Sequence, residues 1–327
     1  MSCQLIAPAA MNHMHFSNTY AFFVADEEYS ILPRSAKKNQ LHEALESERF
    51  EDASRLIASN TEAYLVECFE SPERSFKSCL HIIAGMSNTE QATKLCRELV
   101  ERIRNAINRK CLLNMTTVDE FDMVGWKVRV RVAAIHIAAY NGNSGVVRLL
   151  CQEYGVDVNC STSETLEDEP KKGITALEWA ARKGYTEVVK ALLDNKANTN
   201  VNRHNGVTPL YIAVQEGHTD VVKQLLHGKA DVNASCRTAN ATPLHMAAWK
   251  GHREIAKLLL HHKANVNAST CTDGATPLYI AAQKGRSEIV KLLLAKKAKV
   301  NAGRADGDKP IDAARRNHHL EIVKLLQ

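Results

Sequence analysis

The sequence predicts an all-α fold, a solenoid of stacked helix–turn–helix units joined by hairpin-like turns, and three observations carry that expectation. The first is a single stretch. Thr242-Pro243-Leu244-His245-Met246-Ala247-Ala248 is closed by Gly251 and His252, then followed by a second run from Glu254 to Leu260. Pro243 has no backbone N–H and suits the first turn of a helix, beside Thr242 as a cap. Ile255, Leu258, Leu259 and Leu260 give the second run one apolar face. The second observation is recurrence: Thr208-Pro209-Leu210 lies 34 residues before Thr242, and Thr276-Pro277-Leu278 lies 34 after it. Thr175-Ala176-Leu177 stands 33 residues before Thr208, and Lys309-Pro310-Ile311 stands 33 after Thr276. The third is a shared ending, a Val-Asn pair that recurs at Asn233, Asn267 and Asn301. Neither helix has enough apolar surface to stand alone, so each must bury its face against a neighbouring copy.

Taken in order, residues 1–34 read as an N-terminal cap or extension. Phe16, Tyr20, Phe22, Phe23 and Tyr29 follow no clean period there and suit a cover for the apolar end of the stack. Residues 35–132 read as two degenerate units with an inserted segment, a separate helical domain being the rival reading. Leu41-His42-Glu43-Ala44-Leu45 and Cys79-Leu80-His81-Ile82-Ile83-Ala84 echo the first helix of the pattern. The helix that follows the second echo is expected over about residues 89–107, with Leu95, Leu99, Ile103 and Ile107 on one stripe. Val128, Val130 and Val132 then alternate with Lys127, Arg129 and Arg131, a strand pattern with one basic face. Residues 133–327 hold five to six regular units. The first opens at Ala133 and closes at Val158-Asn159. In the last, Arg315, Arg316, Asn317, His318 and His319 replace apolar and Gly positions, as a C-terminal cap with a polar outer face would. An acidic run over residues 161–170, with Glu164, Glu167, Asp168 and Glu169, lengthens one connection; it reads as a binding insertion or as a solvated loop.

Composition narrows the function. Residues 171–327 carry a net charge of +12 and residues 1–170 a net −7, so the two halves attract different partners. Nine cysteines show no CxxC pair and no regular framework, which points to a reducing compartment. No apolar run reaches the ~18 residues of a membrane span, and the N-terminus lacks the basic-then-apolar pattern of a signal peptide. No H-E-x-x-H, Walker glycine run, G-x-S-x-G or kinase signature is present. The adjacent pairs His261-His262 and His318-His319 do not share a helix face and are poor joint metal ligands. No cofactor, metal or catalytic residue is assigned.

A period of about 33 residues carrying T-P-L-H-x-A resembles the ankyrin repeat. The resemblance is strong from Ala133 onward and implies a scaffold or adaptor whose repeats recognise another protein without catalysis. It implies that His136 and His245 bond to turn backbone, and that partners meet the hairpin tips and the concave side of the first helices. Carried over by position, the tips include Arg203, His204 and Arg237. The first-helix positions are Arg182 and Lys183, Tyr211 and Gln215, Trp249 and Lys250, and Tyr279, Gln283 and Lys284. Tyr211, Trp249 and Tyr279 are expected to line one surface, whereas Trp179 is expected in the core. Asn159, Asn233, Asn267 and Asn301 resemble targets of the asparagine hydroxylase that modifies ankyrin domains, against the reading that each Asn only bonds to the turn. The expected partner is a protein, acidic to match the basic repeats, and the expected state is a monomer in the cytoplasm or nucleus. Nucleic acid is not expected. Two other readings are an effector delivered into host cells by an intracellular bacterium, and an enzyme whose site lies in residues 1–132. One departure from the family is systematic: Lys196, Lys229, Lys263 and Lys297 stand where it has Gly. Lys in the left-handed conformation costs roughly 1 kcal/mol more than Gly, and a cation at a helix C-terminus recovers ~0.3–1 kcal/mol.

Overall fold

Thr175, Thr208 and Thr276 each accept a hydrogen bond from the backbone N–H three residues on, and Pro209 and Pro277 fill the first turn behind such caps, while Thr242, ahead of Pro243, bonds to His245 Nδ1 instead. Caps of the first kind start the first helix of three regular units. The computed structural model describes residues 40–59, 79–87, 89–102, 116–123, 126–164, 173–201 and 206–327. Within them the helices come in pairs. The first four are α1 (Gln40–Glu46), α2 (Phe50–Ser59), α3 (Cys79–Gly85) and α4 (Thr89–Arg102). Next come α5 (Ala134–Tyr140), α6 (Ser144–Arg148), α7 (Ala176–Lys183), α8 (Thr186–Asp194), α9 (Pro209–Glu216) and α10 (Thr219–His227). The series ends with α11 (Pro243–Lys250), α12 (Arg253–His261), α13 (Pro277–Gln283), α14 (Ser287–Ala295), α15 (Pro310–Arg316) and α16 (Leu320–Leu326).

First helices pack on first helices from α1 to α15, and second helices on second helices from α2 to α16. The stack is the solenoid the periodicity calls for. Ala180, Ala181, Ala247, Ala248, Ala281 and Ala282 are fully buried, and their short side chains let successive first helices approach closely. Leu41, Leu80, Leu177, Leu210, Leu244 and Leu278 bury the larger part of each unit's apolar face. Leu95 and Leu99 are buried on α4 as expected, while Ile103 and Ile107 lie outside the described residues, as do residues 1–34. In the last unit Arg315 is exposed where inner units bury Ala248 or Ala282, yet Leu320 is 72% exposed.

The second helices end alike. Lys196, Lys229, Lys263 and Lys297 all have positive φ, between 62° and 66°. The residue after each, Ala197, Ala230, Ala264 or Ala298, donates its N–H to the carbonyl five residues back and is buried. That is the Schellman ending, and lysine has taken the position that glycine usually holds. In the unit of α5 and α6 a glycine does hold it: Gly155, φ 64°. That unit has one extra residue between its two turns, and the excess is absorbed as a π-helical turn over Leu149–Glu153 that continues α6.

Strands β1 (Thr116–Met123) and β2 (Trp126–Ala133) form an antiparallel hairpin before α5. The alternating valines thus belong to a strand, as expected. In the backbone register Arg129 is opposite Glu120, Lys127 opposite Asp122 and Arg131 opposite Val118. A short strand, β3 (Ser163–Glu164), joins the other edge of β2. It carries the start of the acidic insertion; residues 165–172 lie outside the described residues.

Candidate functional site

Two residues precede the left-handed turn that ends each first helix, and they form two columns along the stack. In order they are Tyr140 and Asn141, Arg182 and Lys183, Gln215 and Glu216, Trp249 and Lys250, and Gln283 and Lys284, with Arg316 and Asn317 last. Gly142, Gly184, Gly217, Gly251 and Gly285 make the turns, all at positive φ. A residue of the next unit seals four of these turns closely enough that a Cβ would collide: His218 over Gly184, His252 over Gly217, Arg286 over Gly251 and His319 over Gly285. His218 and His319 donate from Nε2 to the carbonyls of Arg182 and Gln283, at 3.0 and 3.2 Å. The two columns are therefore held at fixed height from unit to unit.

Within these columns Trp249 is half-buried, and the Lys284 ammonium of the next unit lies 3.6 Å from its ring centroid. Burial, with Arg286 nearby, lowers the Lys284 pKa below its ordinary value. Lys183 lies 4.3 Å from the Tyr140 centroid in the same way. Arg182 is 12% exposed and pairs with Glu216 at 3.6 Å, while the Gln215 amide donates to Glu216 at 3.1 Å. Lys250 is exposed and Gln283 half-buried. Arg237 is exposed on a hairpin tip; Arg203 and His204 lie outside the described residues. Adjacent tips are tied by backbone bonds, from Cys271 N–H to the Ala239 carbonyl and from Ala305 N–H to the Asp273 carbonyl.

Tyr211 and Tyr279 do not line the surface with Trp249. Both are 2% exposed. They occupy the fourth position of the motif, in register with His136 and His245, and that position points under the hairpin rather than out of the stack. Tyr211 packs with Val207, Ile212, Cys236 and Ala241, and burial raises its hydroxyl pKa far above the usual range. The Tyr279 hydroxyl donates to Asp308 at 2.6 Å. Asp308 also binds Arg316, and Arg304 spans Asp273 at 3.0 Å while lying over the Tyr279 ring. Burial alone would raise Asp308, but the Tyr279 hydroxyl and Arg316 outweigh it and hold the carboxyl below the ordinary carboxylate range. This polar network was not visible in the periodicity; its signal was the cluster of Arg304, Asp306 and Asp308 in one short turn.

His136 and His245 bond to the turns, as the resemblance implied. The backbone N–H groups of Ala133 and Thr242 donate to their Nδ1 atoms, so Nε2 carries the proton and donates to the Cys160 and Ala275 carbonyls. Burial lowers both pKa values to about 4. Cys160 Sγ approaches His136 Nε2 at 3.9 Å, but burial pushes that thiol up to about 12. A nucleophile pair needs a thiolate and a ring that can take a proton; burial holds both groups neutral here. Among the described residues no cluster of His, Cys, Asp or Glu is arranged to hold a metal, and no helix is long and apolar enough to cross a membrane.

The closing asparagines form a ladder. Asn159, Asn233 and Asn267 accept, through Oδ1, the backbone N–H of Asn198, Asn265 and Lys299 in the next unit, at 2.8 to 2.9 Å. Asn200 does the same for Asp231 at 2.8 Å. Sequence reasoning missed Asn200 because Thr, not Val, precedes it. Asn301 is exposed.

A family model described as ankyrin repeats (3 copies) matches residues 114–203, 135–236, 177–270 and 263–327. A search of curated proteins finds no match.

Proposed function

Because the chain belongs to the ankyrin-repeat family, whose arrays are generally protein–protein interaction modules and typically non-catalytic, we propose that it is a scaffold or adaptor binding one partner protein through its first-helix face and hairpin tips. The observation that carries this reading is Trp249, a large aromatic left half-buried in a column that otherwise holds Tyr140, Arg182, Gln215, Gln283 and Arg316. Trp, Tyr and Arg dominate interface hot spots, and Arg182 stands in the same column. The helix pairs α1–α2 and α3–α4 precede the matched region and extend the same face, and we take them as divergent repeats. We place the partner in a reducing, intracellular compartment, where the exposed thiol of Cys271 stays reduced.

The test is quantitative capture. Immobilised chain and its Trp249→Ala variant are compared for the proteins they retain and for affinity toward the strongest of them. Loss of that protein from the variant, with an unchanged melting curve, supports the proposal. Equal retention overturns it.

A further inference from the structure

Along the bodies of the second helices cations meet carboxylates. Lys94 pairs with Glu98, Lys223 with Asp220, and Lys291 with Glu288 and Glu321. The C-terminal ends of three successive second helices, α10, α12 and α14, and the turns that follow them depart from this. They carry Lys229, Lys263, Lys296, Lys297 and Lys299, all exposed, together with His227, His261 and His262. Asp231 is the one carboxylate at these ends. Among the described residues none of the five ammonium groups has an ion-pair or hydrogen-bond partner, and none of the three rings makes a hydrogen bond. The ring centroids of His227 and His262 lie 6.4 Å apart, and those of His261 and His262 lie 5.5 Å apart. Lys229, Lys263 and Lys297 hold the left-handed conformation, which costs a lysine more than a glycine. Asn233 and Asn267 fix the turns by accepting the backbone N–H of Asn265 and Lys299 at 2.8 and 2.9 Å. Helices packed at ~8–10 Å place the outer two ends about 16–20 Å apart. The result is a rigid basic patch whose like charges repel one another and lack internal counterions, so an array of anions meeting it is attracted to every one of them.

We propose that this patch is a second interaction surface, one that rests on the phosphate headgroups of an anionic lipid bilayer. Lysine suits that surface. Its ammonium is a compact, hydrated charge on a flexible stem, and a cluster of about four to eight such charges is what an anionic leaflet attracts. The imidazole N–H groups add donors for phosphate oxygens. Nucleic acid fits less well: the three ends hold no arginine for bidentate phosphate or base contacts and no aromatic ring for stacking. Among the described residues the exposed large apolar side chains are Tyr185 and Leu320, and neither lies in the patch. The contact therefore stays at the headgroups, without insertion, and is reversed by salt. The patch shares no residue with the face around Trp249, so its test does not depend on the protein-binding reading.

The experiment sediments the full chain with vesicles of phosphatidylcholine alone and of phosphatidylcholine with about 30% phosphatidylglycerol, at low and high salt. The mixed vesicles are expected to bind at least ~10-fold more tightly than the neutral ones and to release the chain as salt rises. Lys263→Gln/Lys296→Gln/Lys297→Gln/Lys299→Gln is expected to weaken that binding ~100-fold or more, at roughly 5-fold per lysine. A control with the same change in charge, Arg55→Gln/Lys94→Gln/Lys190→Gln/Lys309→Gln, is expected to lose less than ~10-fold. Equal loss in the two variants would reduce the effect to net charge and overturn the proposal, as would equal binding to the two kinds of vesicle. A DNA duplex of about twenty base pairs that binds more tightly than the mixed vesicles, and is lost only in the first variant, would overturn the lipid reading and assign the patch to nucleic acid. Limited acetylation of the unsubstituted chain locates the contact without any variant. Mixed vesicles should shield Lys263, Lys296, Lys297 and Lys299 and leave Lys94 and Lys190 as reactive as before. Uniform labelling of all six would sink the assignment even if the four-glutamine variant failed to fold.

Discussion

The first-helix face and the second-helix face are built from the same repeat and do different things. Along the second helices charge is matched from unit to unit, as in the pairs of Arg148 with Glu187 and Lys291 with Glu321. Such pairs are exposed, contribute ~0–1 kcal/mol each, and mainly fix register. Along the first helices the turn-side positions hold Arg182, Lys183, Lys250 and Lys284 around the half-buried Trp249, with Glu216 as their one carboxylate. One face alternates its charges from unit to unit; the other carries mostly one sign. The difference teaches that periodic sequence sets the stack, while the departures from periodicity set what the stack can bind.

The largest test of this division uses the two tryptophans on first helices. Trp179 is fully buried and meets Tyr140 edge-on at 5.2 Å, whereas Trp249 sits in the exposed column. Trp179→Ala is expected to destabilise the chain by ~3–5 kcal/mol in urea unfolding. Trp249→Ala should cost under about 1 kcal/mol of stability. Comparable losses at both sites would mean that Trp249 is core and that the faces are not divided as described.

The next effect is a pH dependence beneath the hairpins. His136 and His245 have folded pKa values of about 4, lowered first by burial, against 6.5 when unfolded. The unfolded chain therefore binds more protons between those values. The stability these rings contribute is fully present above pH 6.5 and is lost as pH falls toward 4. By linkage the loss between about pH 7.5 and pH 5 is ~2 kcal/mol per ring. His245→Gln should flatten the pH dependence of the urea midpoint whatever it does to absolute stability. An unaltered slope would show that the ring is protonated in the folded state.

These two histidines also show how far the sequence could be read. Helices, period, core leucines, the left-handed lysines and the turn role of His136 and His245 all follow from local pattern. Tyr211 and Tyr279 share the register of those histidines, and residue type alone points them outward while position points them under the hairpin. Size explains the difference: a tyrosine in the histidine's place reaches past the turn backbone, to Asp308 in one case and beside Cys236 in the other. The cation–aromatic pairs were not legible either. Lys284 and Trp249 are 35 residues apart, and only the stacking of α11 on α13 brings the ammonium onto the ring.

For the exposed column, Trp249→Ala should weaken partner binding by ~2 kcal/mol or more. Arg253→Ala, which breaks an ion pair on the other face, should change binding by less than about 0.5 kcal/mol. Isothermal titration with the captured partner measures both. A larger effect from Arg253 would reverse the assignment of the two faces.

The smallest expected effect lies at the ends of the second helices. Lys196, Lys229, Lys263 and Lys297 adopt a backbone conformation that glycine adopts freely, and Gly155 shows the same turn made with glycine in the same chain. Replacing all four lysines with glycine removes roughly 1 kcal/mol of backbone strain at each site. It also removes a cation from each helix C-terminus, worth ~0.3–1 kcal/mol, and loosens the unfolded chain, so the terms nearly cancel. Thermal unfolding should move by no more than a few degrees in either direction. Binding of the captured partner should be unchanged, since these residues end second helices and the proposed face runs along first helices. A salt-sensitive loss of that binding in the four-glycine variant, at constant melting temperature, would move the partner's contact from the first-helix columns to the lysine ridge.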